Sequence, residues 1–348
     1  MKLALIFGGH SFEHEISIVS AIALKDVLKN LDLEFIFVSN DRKMFAIPSK
    51  NMKSNFFSSG AYKKSEEVFL SYDGFRKKSI FSKKTLDITC VLNLIHGGDG
   101  EDGLISSLLE FYGQEFIGPR VDACVLSFSK LLTKAYAKLV GVDTLSFKYF
   151  SKDSKPKKLD YPCILKPLRL GSSIGLSVLK NAKDLDYSVD VALEFDDEFI
   201  IEPFIDNVKE YNLAGTFIEN EFIFSIIEEP QKSGILDFEK KYLDFSRTEK
   251  TSKAVISSKL EKDLRDAFKK IYSTMFQGAL IRCDFFVVEN KVYLNEINPI
   301  PGSMSNYLFD DFNNIVSKLT KSLPRKKHIE IDYAYVNKIQ SAKGKSWQ

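Results

Sequence analysis

The strongest constraint on the fold is a short apolar run near the start of the chain that ends in two glycines. Residues 3–7 are all apolar and are followed by Gly8 and Gly9, a pattern typical of a buried parallel strand. Apolar residues then recur at helical spacing over residues 14–29, and a second apolar run covers residues 33–38. This β-α-β order predicts an open α/β domain.

A second strand-and-helix unit carries a loop rich in glycine and acidic residues. Residues 91–95 are an apolar run, the loop covers residues 96–103, and a helix is expected over residues 104–112. Ligands bind α/β sheets where a strand ends in such a loop before a helix. The acids do not follow the order of an EF-hand calcium loop. We therefore predict a substrate-binding loop, with a structural turn in which His96 only makes a hydrogen bond as the alternative.

Beyond about residue 120 the sequence predicts a mixture of helices and strands. A helix is expected near residues 127–139, and an amphipathic helix over residues 259–276. The charged segment 228–258 is long and weakly periodic, which is typical of a functional lid or a linker. The expected strands cover residues 145–150, 162–166, 174–179, 199–204, 281–288 and 292–297, with two more between residues 211 and 224.

The predicted strands at residues 281–288 and 292–297 form a hairpin that carries polar side chains on one face. Side chains two residues apart share a face, so Arg282 lies beside Asp284 and Glu296 beside Asn298. If residues 289–291 form the connection, Asp284 faces Glu296 and Arg282 faces Asn298. Carboxylate and amide oxygens suit Mg²⁺ that bridges to phosphates, and Arg282 could hold a developing negative charge. A buried salt-bridge network is the structural alternative.

A loop of glycine and serine follows another predicted strand. The strand ends near Lys166, and residues 171–175 read Gly-Ser-Ser-Ile-Gly before the next strand begins. Backbone amides in such loops bind anions, and a neighbouring lysine adds a positive charge. No Gly-Lys-Ser/Thr opens a helix here, so the loop is not a Walker A motif. The sequence predicts a phosphate-binding loop, and a plain hairpin with a glycine turn is the alternative.

Composition and missing motifs exclude several classes of protein. The net charge is +2 with lysines scattered among acids, which predicts no nucleic-acid partner. The first apolar run is too short for a signal peptide, and none reaches the ~20 residues that cross a bilayer. The four cysteines form no C-x-x-C pair, which indicates buried thiols in a reducing compartment. We therefore expect a soluble, cytoplasmic protein. The missing G-x-G-x-x-G disfavours an NAD-dependent dehydrogenase.

Together the motifs resemble the D-alanine–D-alanine ligase family of ATP-grasp enzymes, in particular the ligases of Helicobacter-type bacteria, over nearly the whole chain. The likeness rests on three motifs: Gly8-Gly-x-Ser-x-Glu-x-Glu-Ile-Ser17, His96-Gly-Gly-Asp-Gly-Glu-Asp-Gly103, and Arg282-x-Asp284 followed by Glu296-Ile-Asn298-Pro-x-Pro-Gly302. The resemblance implies an ATP-grasp fold, α+β in its C-terminal half, behind an N-terminal open α/β domain. The implied domains are an N-terminal substrate domain at 1–119, a central subdomain at 120–202, and a C-terminal subdomain at 203–348 with a lid loop at 228–258.

The resemblance also implies substrates, cofactors and partners. The reaction joins two D-alanines through a D-alanyl phosphate, using ATP and two Mg²⁺ ions, with Mn²⁺ as a substitute. The implied assembly is a cytoplasmic homodimer without a nucleic-acid or membrane partner. Ligation of D-alanine to D-lactate or D-serine is the alternative within the family, and a catalytically silent nucleotide-binding regulator is the alternative outside it.

The resemblance implies several residues of the site that binds the first amino acid. Glu13 matches the carboxylate that receives the ammonium of the first D-alanine, and His96 matches its neighbour. Ser172 matches the serine that fixes the lid tyrosine to Glu13, and Lys241-Tyr242 matches the Lys-Tyr pair of the lid. That pair resembles the dipeptide-forming branch, so the second substrate is expected to be D-alanine.

The same carry-over gives the nucleotide and metal sites. Two lysines match the phosphate-binding pair, two serines lie in the loop that covers the phosphates, and two glutamates match the adenine hinge and the ribose contact. In that order these residues are Lys130, Lys166, Ser172, Ser173, Glu202 and Glu210. The metal ligands match Asp284, Glu296 and Asn298, and the oxyanion-stabilising pair matches Arg282 and the Gly302 amide.

Two positions depart from the family pattern. Tyr307 stands where a serine usually holds the carboxylate of the second substrate, so Ser303, Ser305 or the Tyr307 hydroxyl becomes the candidate for that contact. Pro203 replaces the lysine common after the hinge glutamate, which removes one side-chain contact expected for adenine.

Overall fold

The computed structural model describes residues 2–78, 84–154, 156–230, 251–325 and 327–342. These residues form three β-sheets with helices packed against them. Within the described residues, no helix combines the length and the apolar character that crossing a bilayer needs. The helices are α1 (His14–Val27), α2 (Ser54–Ser58), α3 (Gly98–Glu101), α4 (Leu104–Phe111), α5 (Val121–Phe128), α6 (Lys130–Leu139), α7 (Leu185–Leu193), α8 (Ser258–Tyr272), α9 (Phe312–Leu319) and α10 (Ala334–Ala342).

The N-terminal sheet has a parallel centre and an antiparallel edge. Its order is β5-β4-β3-β2-β1-β6-β7, in which β1 pairs in parallel with both β2 and β6. This confirms the β-α-β start predicted from the sequence. The strands are β1 (Lys2–Gly8), β2 (Asp32–Val38), β3 (Met44–Ala46), β4 (Glu66–Ser71), β5 (Gly74–Lys77), β6 (Cys90–Asn93) and β7 (Phe116–Ile117).

The other two sheets are antiparallel and have four strands each. The central sheet has the order β10-β9-β11-β8, and the C-terminal sheet has the order β13-β12-β14-β15. The strands are β8 (Lys148–Ser151), β9 (Cys163–Pro167), β10 (Ser177–Leu179), β11 (Glu198–Pro203), β12 (Lys209–Ile218), β13 (Glu221–Glu228), β14 (Ile281–Val288) and β15 (Lys291–Asn298).

Each sheet buries an apolar face against helices. Strand β1 is buried on both faces, since Leu5 and Ile6 belong to different core clusters. In the central sheet, Val189 of α7 packs into the same core as Phe199 of β11. In the C-terminal sheet, Phe268 of α8 is fully buried in the core that the strands supply. Helix α1 contacts the 3₁₀ turn Gly302–Leu308, which brings the N-terminal and C-terminal parts of the chain together.

One expected element differs from the structure, and another is described only in part. The helix expected near residues 127–139 begins at Lys130, because the Ser129 side chain accepts a hydrogen bond from the Leu132 amide and caps a new helix. The predicted lid at 228–258 is described only in part. Residues 231–250, with Lys241 and Tyr242, lie outside the described residues. Beyond them the chain returns beside β13, where the Ala254 amide donates to the Ile227 carbonyl.

Candidate active site

The polar hairpin has the register predicted from the sequence, but it reaches that register by another route. Asp284 faces Glu296 and Arg282 faces Asn298. The connection is a two-residue turn, with positive φ at Glu289 and Asn290, rather than the three residues expected. A bulge between Asp284 and Phe285 restores the register, because Asn295 is the extra residue on β15. The Asn295 side chain accepts a hydrogen bond from Lys166 Nζ at 3.2 Å.

Asp284 is the centre of this hairpin face. Arg282 donates from Nε and from Nη2 to its two carboxylate oxygens at 2.7 and 2.8 Å, and Asn298 Nδ2 donates at 3.0 Å. Burial raises the pKa of Asp284 to about 6; Arg282 lowers it, and the facing Glu296 raises it further. Burial opposes the charge of Arg282, but Asp284 raises the pKa of the guanidinium above its usual value. The result is a fixed ion pair beside a second carboxylate.

The oxygen atoms of this face fit a divalent cation. Asp284 and Glu296 bring two carboxylates together in a site that Arg282 only partly neutralises. Asn298 uses its amide nitrogen toward Asp284, so its amide oxygen can point elsewhere. Two carboxylates and an amide oxygen are hard ligands of the kind that Mg²⁺ and Mn²⁺ prefer.

Glu13 links the N-terminal domain to the Gly/Ser loop. Its carboxylate is buried and accepts a hydrogen bond from the Ser172 hydroxyl. A Cβ at Gly97 would lie 2.6 Å from Glu13 Oε2, and φ at Gly97 is +62°, so only glycine fits there. Burial raises the pKa of Glu13 to about 7, and the charge of Glu101 adds to the rise, whereas the Ser172 hydroxyl lowers it. A buried carboxylate with a raised pKa can receive a cationic ligand.

His96 is held by residues from both ends of the chain. Its Nδ1 lies 2.8 Å from the Ile300 carbonyl oxygen, and its Nε2 lies 2.9 Å from the Ser20 hydroxyl. Since a carbonyl oxygen only accepts, Nδ1 donates there, and in the neutral imidazole Nε2 then accepts from Ser20. The Ser20 oxygen in turn accepts from the Ser303 amide at 3.1 Å. Ser20, on helix α1, was not predicted as a site residue, because a serine among apolar helix residues carries no motif.

The predicted phosphate-binding residues lie around the Gly/Ser loop. Lys130 Nζ donates to the Leu170 carbonyl at 2.5 Å, just before the loop. Burial lowers the pKa of Lys130 to about 8, and Glu296 opposes that fall. Ser172 and Ser173 both have positive φ, at 52° and 58°, an uncommon conformation for residues other than glycine. The loop backbone is therefore held in a sparsely populated conformation at two consecutive residues.

Glu202 and Lys166 lie together in a buried cluster. The Lys166 ammonium is 2.7 Å from Glu202 Oε2, and Lys134 contacts Oε1 of the same carboxylate. The pKa of Glu202 is lowered: burial opposes the shift, but the two lysines outweigh it. Lys134 was not predicted as a site residue. A lysine on an amphipathic helix resembles an ordinary solvent-facing residue, and its partner lies on a distant strand.

The turn after the polar hairpin has a strained backbone. Ser303, Met304 and Ser305 have consecutive φ values of 45°, 53° and 50°. Left-handed conformations cost residues other than glycine roughly 1–2 kcal/mol each. Gly302 and both serines are buried, and among the described residues the Ser305 hydroxyl has no hydrogen-bond partner. Tyr307 is buried and close enough to Arg282 to contribute to the raised pKa of the guanidinium.

The other predicted positions, Glu210 and Pro203, lie on strands of the C-terminal and central sheets. Glu210 is half-buried near the start of β12, where it pairs with Phe286 across the sheet, at the other end of the β14 strand from Arg282. Pro203 is exposed at the end of β11. The site as a whole brings together the buried Glu13 carboxylate, the Gly/Ser loop with Lys130 beside its start, and the polar hairpin. That combination can bind a polyphosphate and stabilise negative charge that develops during a reaction.

Comparison with known proteins gives consistent matches along the chain. A family model described as "D-ala D-ala ligase N-terminus" matches residues 2–119, and one described as "D-ala D-ala ligase C-terminus" matches residues 134–314. A curated D-alanine--D-alanine ligase of Campylobacter jejuni subsp. doylei is 54% identical over 346 residues, which cover 99% of this chain and 100% of the relative. One from Wolinella succinogenes is 55% identical with the same coverage.

Among solved structures, a D-alanine-D-alanine ligase from Helicobacter pylori is similar to this chain. Its sequence is 48% identical, the TM-score is 0.85, and the match covers 94% of this chain and 100% of that one.

Proposed function

The chain belongs to the D-alanine–D-alanine ligase family, and on that premise we propose how its side chains join two D-alanines in an ATP-dependent reaction for peptidoglycan synthesis. The observation that carries the proposal is the contact between Glu13 and Ser172. It joins an amino-acid-binding carboxylate to the loop proposed to bind phosphate. A substrate held by Glu13 therefore lies next to the phosphates of a bound nucleotide.

The first step is attack by a carboxylate oxygen of the first D-alanine on the γ-phosphorus of ATP. The bond from phosphorus to the β-phosphate oxygen breaks, and ADP and D-alanyl phosphate form. Glu13 holds the substrate ammonium, and His96 lies beside it. Lys130, Lys166 and the loop with Ser173 neutralise phosphate charge. Most catalysis of phosphoryl transfer comes from positioning and electrostatics, which are what these groups supply.

The polar hairpin of β14 and β15 is proposed to bind two divalent cations, Mg²⁺ or Mn²⁺. Asp284, Glu296 and Asn298 would hold them, and when bound the cations supply charge neutralisation for the triphosphate. The fixed pairing of Asp284 with Arg282 supports this proposal, because it orients the carboxylate before any cation binds. On the nucleotide side, Glu202 would contact adenine and Glu210 the ribose.

In the second step the amine of the second D-alanine attacks the carbonyl carbon of D-alanyl phosphate. The carbonyl oxygen becomes negatively charged, the bond to phosphate then breaks with release of inorganic phosphate, and the proton of the amine passes to the departing phosphate or to solvent. Arg282 and the Gly302 amide are proposed to stabilise the oxyanion. The strained backbone after Gly302 supports this role, because it fixes the direction of the turn. Tyr242 and Lys241 are proposed to close the site from the lid at 228–258. The family also leads us to propose a cytoplasmic homodimer.

The second substrate is expected to be D-alanine rather than D-lactate. The resemblance of Lys241-Tyr242 to the dipeptide-forming branch motivates this choice. Ser303, Ser305 and the Tyr307 hydroxyl are the candidates that hold its carboxylate, and the burial of Ser305 with no partner among the described residues favours Ser305. Mass analysis of the products from a neutral mixture of D-alanine and D-lactate is the test. A predominant depsipeptide would contradict this choice without affecting the ATP-grasp assignment.

Binding of the first D-alanine is expected to weaken as the pH falls below about 7, the pKa to which burial raises Glu13. A protonated carboxyl cannot pair with an ammonium ion, so kcat/KM for the first D-alanine should decrease on the acid side. The Ser172 hydroxyl lowers the pKa of Glu13. Ser172→Ala should therefore move the acid limb of the kcat/KM profile to higher pH. A profile that stays in place, or moves to lower pH, would contradict the role of Glu13.

A further inference from the structure

One buried carboxylate in the nucleotide site is shared by two lysines. Lys134 contacts Glu202 Oε1, and Lys166 lies 2.7 Å from Glu202 Oε2. The Glu202 side chain is 2% exposed, that of Lys134 is 4% exposed and that of Lys166 is 12% exposed. Lys134 is therefore as deeply enclosed as the carboxylate, and the proposed mechanism gives it no part.

The surroundings of the two lysines differ. Lys134 Nζ lies 5.5 Å from the centre of the Phe147 ring and forms an ion pair with Glu202. Lys166 has a second polar partner, the Asn295 side chain at 3.2 Å. Asn295 is the bulged residue next to Glu296 in the polar hairpin. Lys166 thus bridges from Glu202 toward the proposed triphosphate site, whereas Lys134 contacts the other oxygen of the carboxylate and the Phe147 ring.

The charges of the cluster explain why two lysines are useful there. A buried carboxylate needs a cationic partner, and a single lysine would be held strongly by it. Two lysines on one carboxylate leave one positive charge in excess. The excess charge is available to an anionic ligand on the side of the more exposed lysine, Lys166.

We propose that Lys134 is a positioning residue that neutralises Glu202 permanently and so leaves Lys166 free to bind nucleotide phosphate. This inference rests on the proposed function, since it takes the nucleotide to bind beside Glu202. Without Lys134, Glu202 would have Lys166 as its remaining cationic partner in the cluster. Lys166 would then be held at Glu202, and phosphate binding would weaken even though the phosphate-binding lysine is still present.

The test compares the dissociation constants of ADP and adenosine, measured on the full chain by titration calorimetry and by ligand-observed NMR. The ratio of the adenosine constant to the ADP constant isolates the contribution of the phosphates. For Lys134→Met this ratio should fall about tenfold to a hundredfold, the effect of losing one hydrogen bond to a charged group. Lys134→Arg keeps the charge and should keep the ratio within about threefold of that of the unaltered protein.

A second pair of variants separates action through Lys166 from direct attraction between Lys134 and phosphate. In a Glu202→Gln background Lys166 has no carboxylate to neutralise, so adding Lys134→Met should leave the ratio unchanged within about threefold. An equal fall in both backgrounds would overturn the proposal, as would an unchanged ratio in Lys134→Met alone. If Lys134→Met does not fold, as judged by circular dichroism, Lys134→Gln replaces it in both backgrounds with the same expected ratios. Absence of ADP binding to the unaltered protein would instead refute the proposed function.

Discussion

Glu296→Gln is expected to reduce D-alanine-dependent ADP release by at least about a hundredfold, because the loss of one carboxylate ligand removes several kcal/mol of charge neutralisation. The substitution keeps the size of the side chain. Burial is the main cause of the raised pKa of Asp284, and the substitution removes the Glu296 charge that adds to it. Folding should therefore be preserved, since the change relieves repulsion between two carboxylates rather than breaking an ion pair.

The matched control for this substitution is Glu289→Gln. Glu289 lies in the turn of the same hairpin and is exposed. The Glu289→Gln variant should keep near-full activity. Initial rates measured over a range of Mg²⁺ concentrations, with thermal unfolding of each variant, complete the comparison. Near-full activity of Glu296→Gln at low Mg²⁺ would show that the polar hairpin does not bind the cations.

Arg282→Met is expected to lower kcat by on the order of a hundredfold or more, the effect typical of removing one oxyanion-stabilising donor. A second effect follows from its contacts, because Arg282 also donates to both oxygens of Asp284. Removing one partner of a buried ion pair destabilises a protein by about 3–5 kcal/mol. Unlike Glu296→Gln, this variant should therefore lose both activity and stability.

Rate and stability can be separated with a conservative variant and a distant control. Arg282→Lys keeps the charge but not the paired contact, so it should recover part of the rate. Arg76→Met breaks a surface ion pair with Asp73. Both residues are far along the chain from Arg282, so this variant should leave kcat unchanged. If Arg282→Met kept the full kcat at a temperature where it is folded, Arg282 would not be the oxyanion donor.

The sequence was most informative for the polar hairpin, because alternation along a strand predicts which side chains share a face. Alternation alone placed Arg282 and Asp284 on one face, and the register with Glu296 follows from the hairpin. The predicted connection was nevertheless one residue too long. The bulge at Asn295 compensated for that difference, and bulges have no clear signature in a single sequence. The register was therefore right although the turn was wrong.

Other features depend on contacts that local patterns do not encode. Ser20 and Lys134 lie on helices whose spacing indicates only which side is apolar, and their partners are distant in the chain. The antiparallel edge formed by β3, β4 and β5 was not predicted, because β3 has only three residues and because β4 and β5 mix charged with apolar residues. Their pairing comes from the sheet that they extend. Tertiary contacts decide these features, so they appear only in the folded chain.

The central claim is tested most directly by measuring ADP and dipeptide together. ADP release is followed with ATP and Mg²⁺ in the presence and absence of D-alanine, and the products are weighed by mass spectrometry. The account predicts that ADP release requires D-alanine and that one D-alanyl-D-alanine forms for each ADP. ATP hydrolysis that does not depend on D-alanine, or hydride transfer to NAD with no ADP formed, would contradict it.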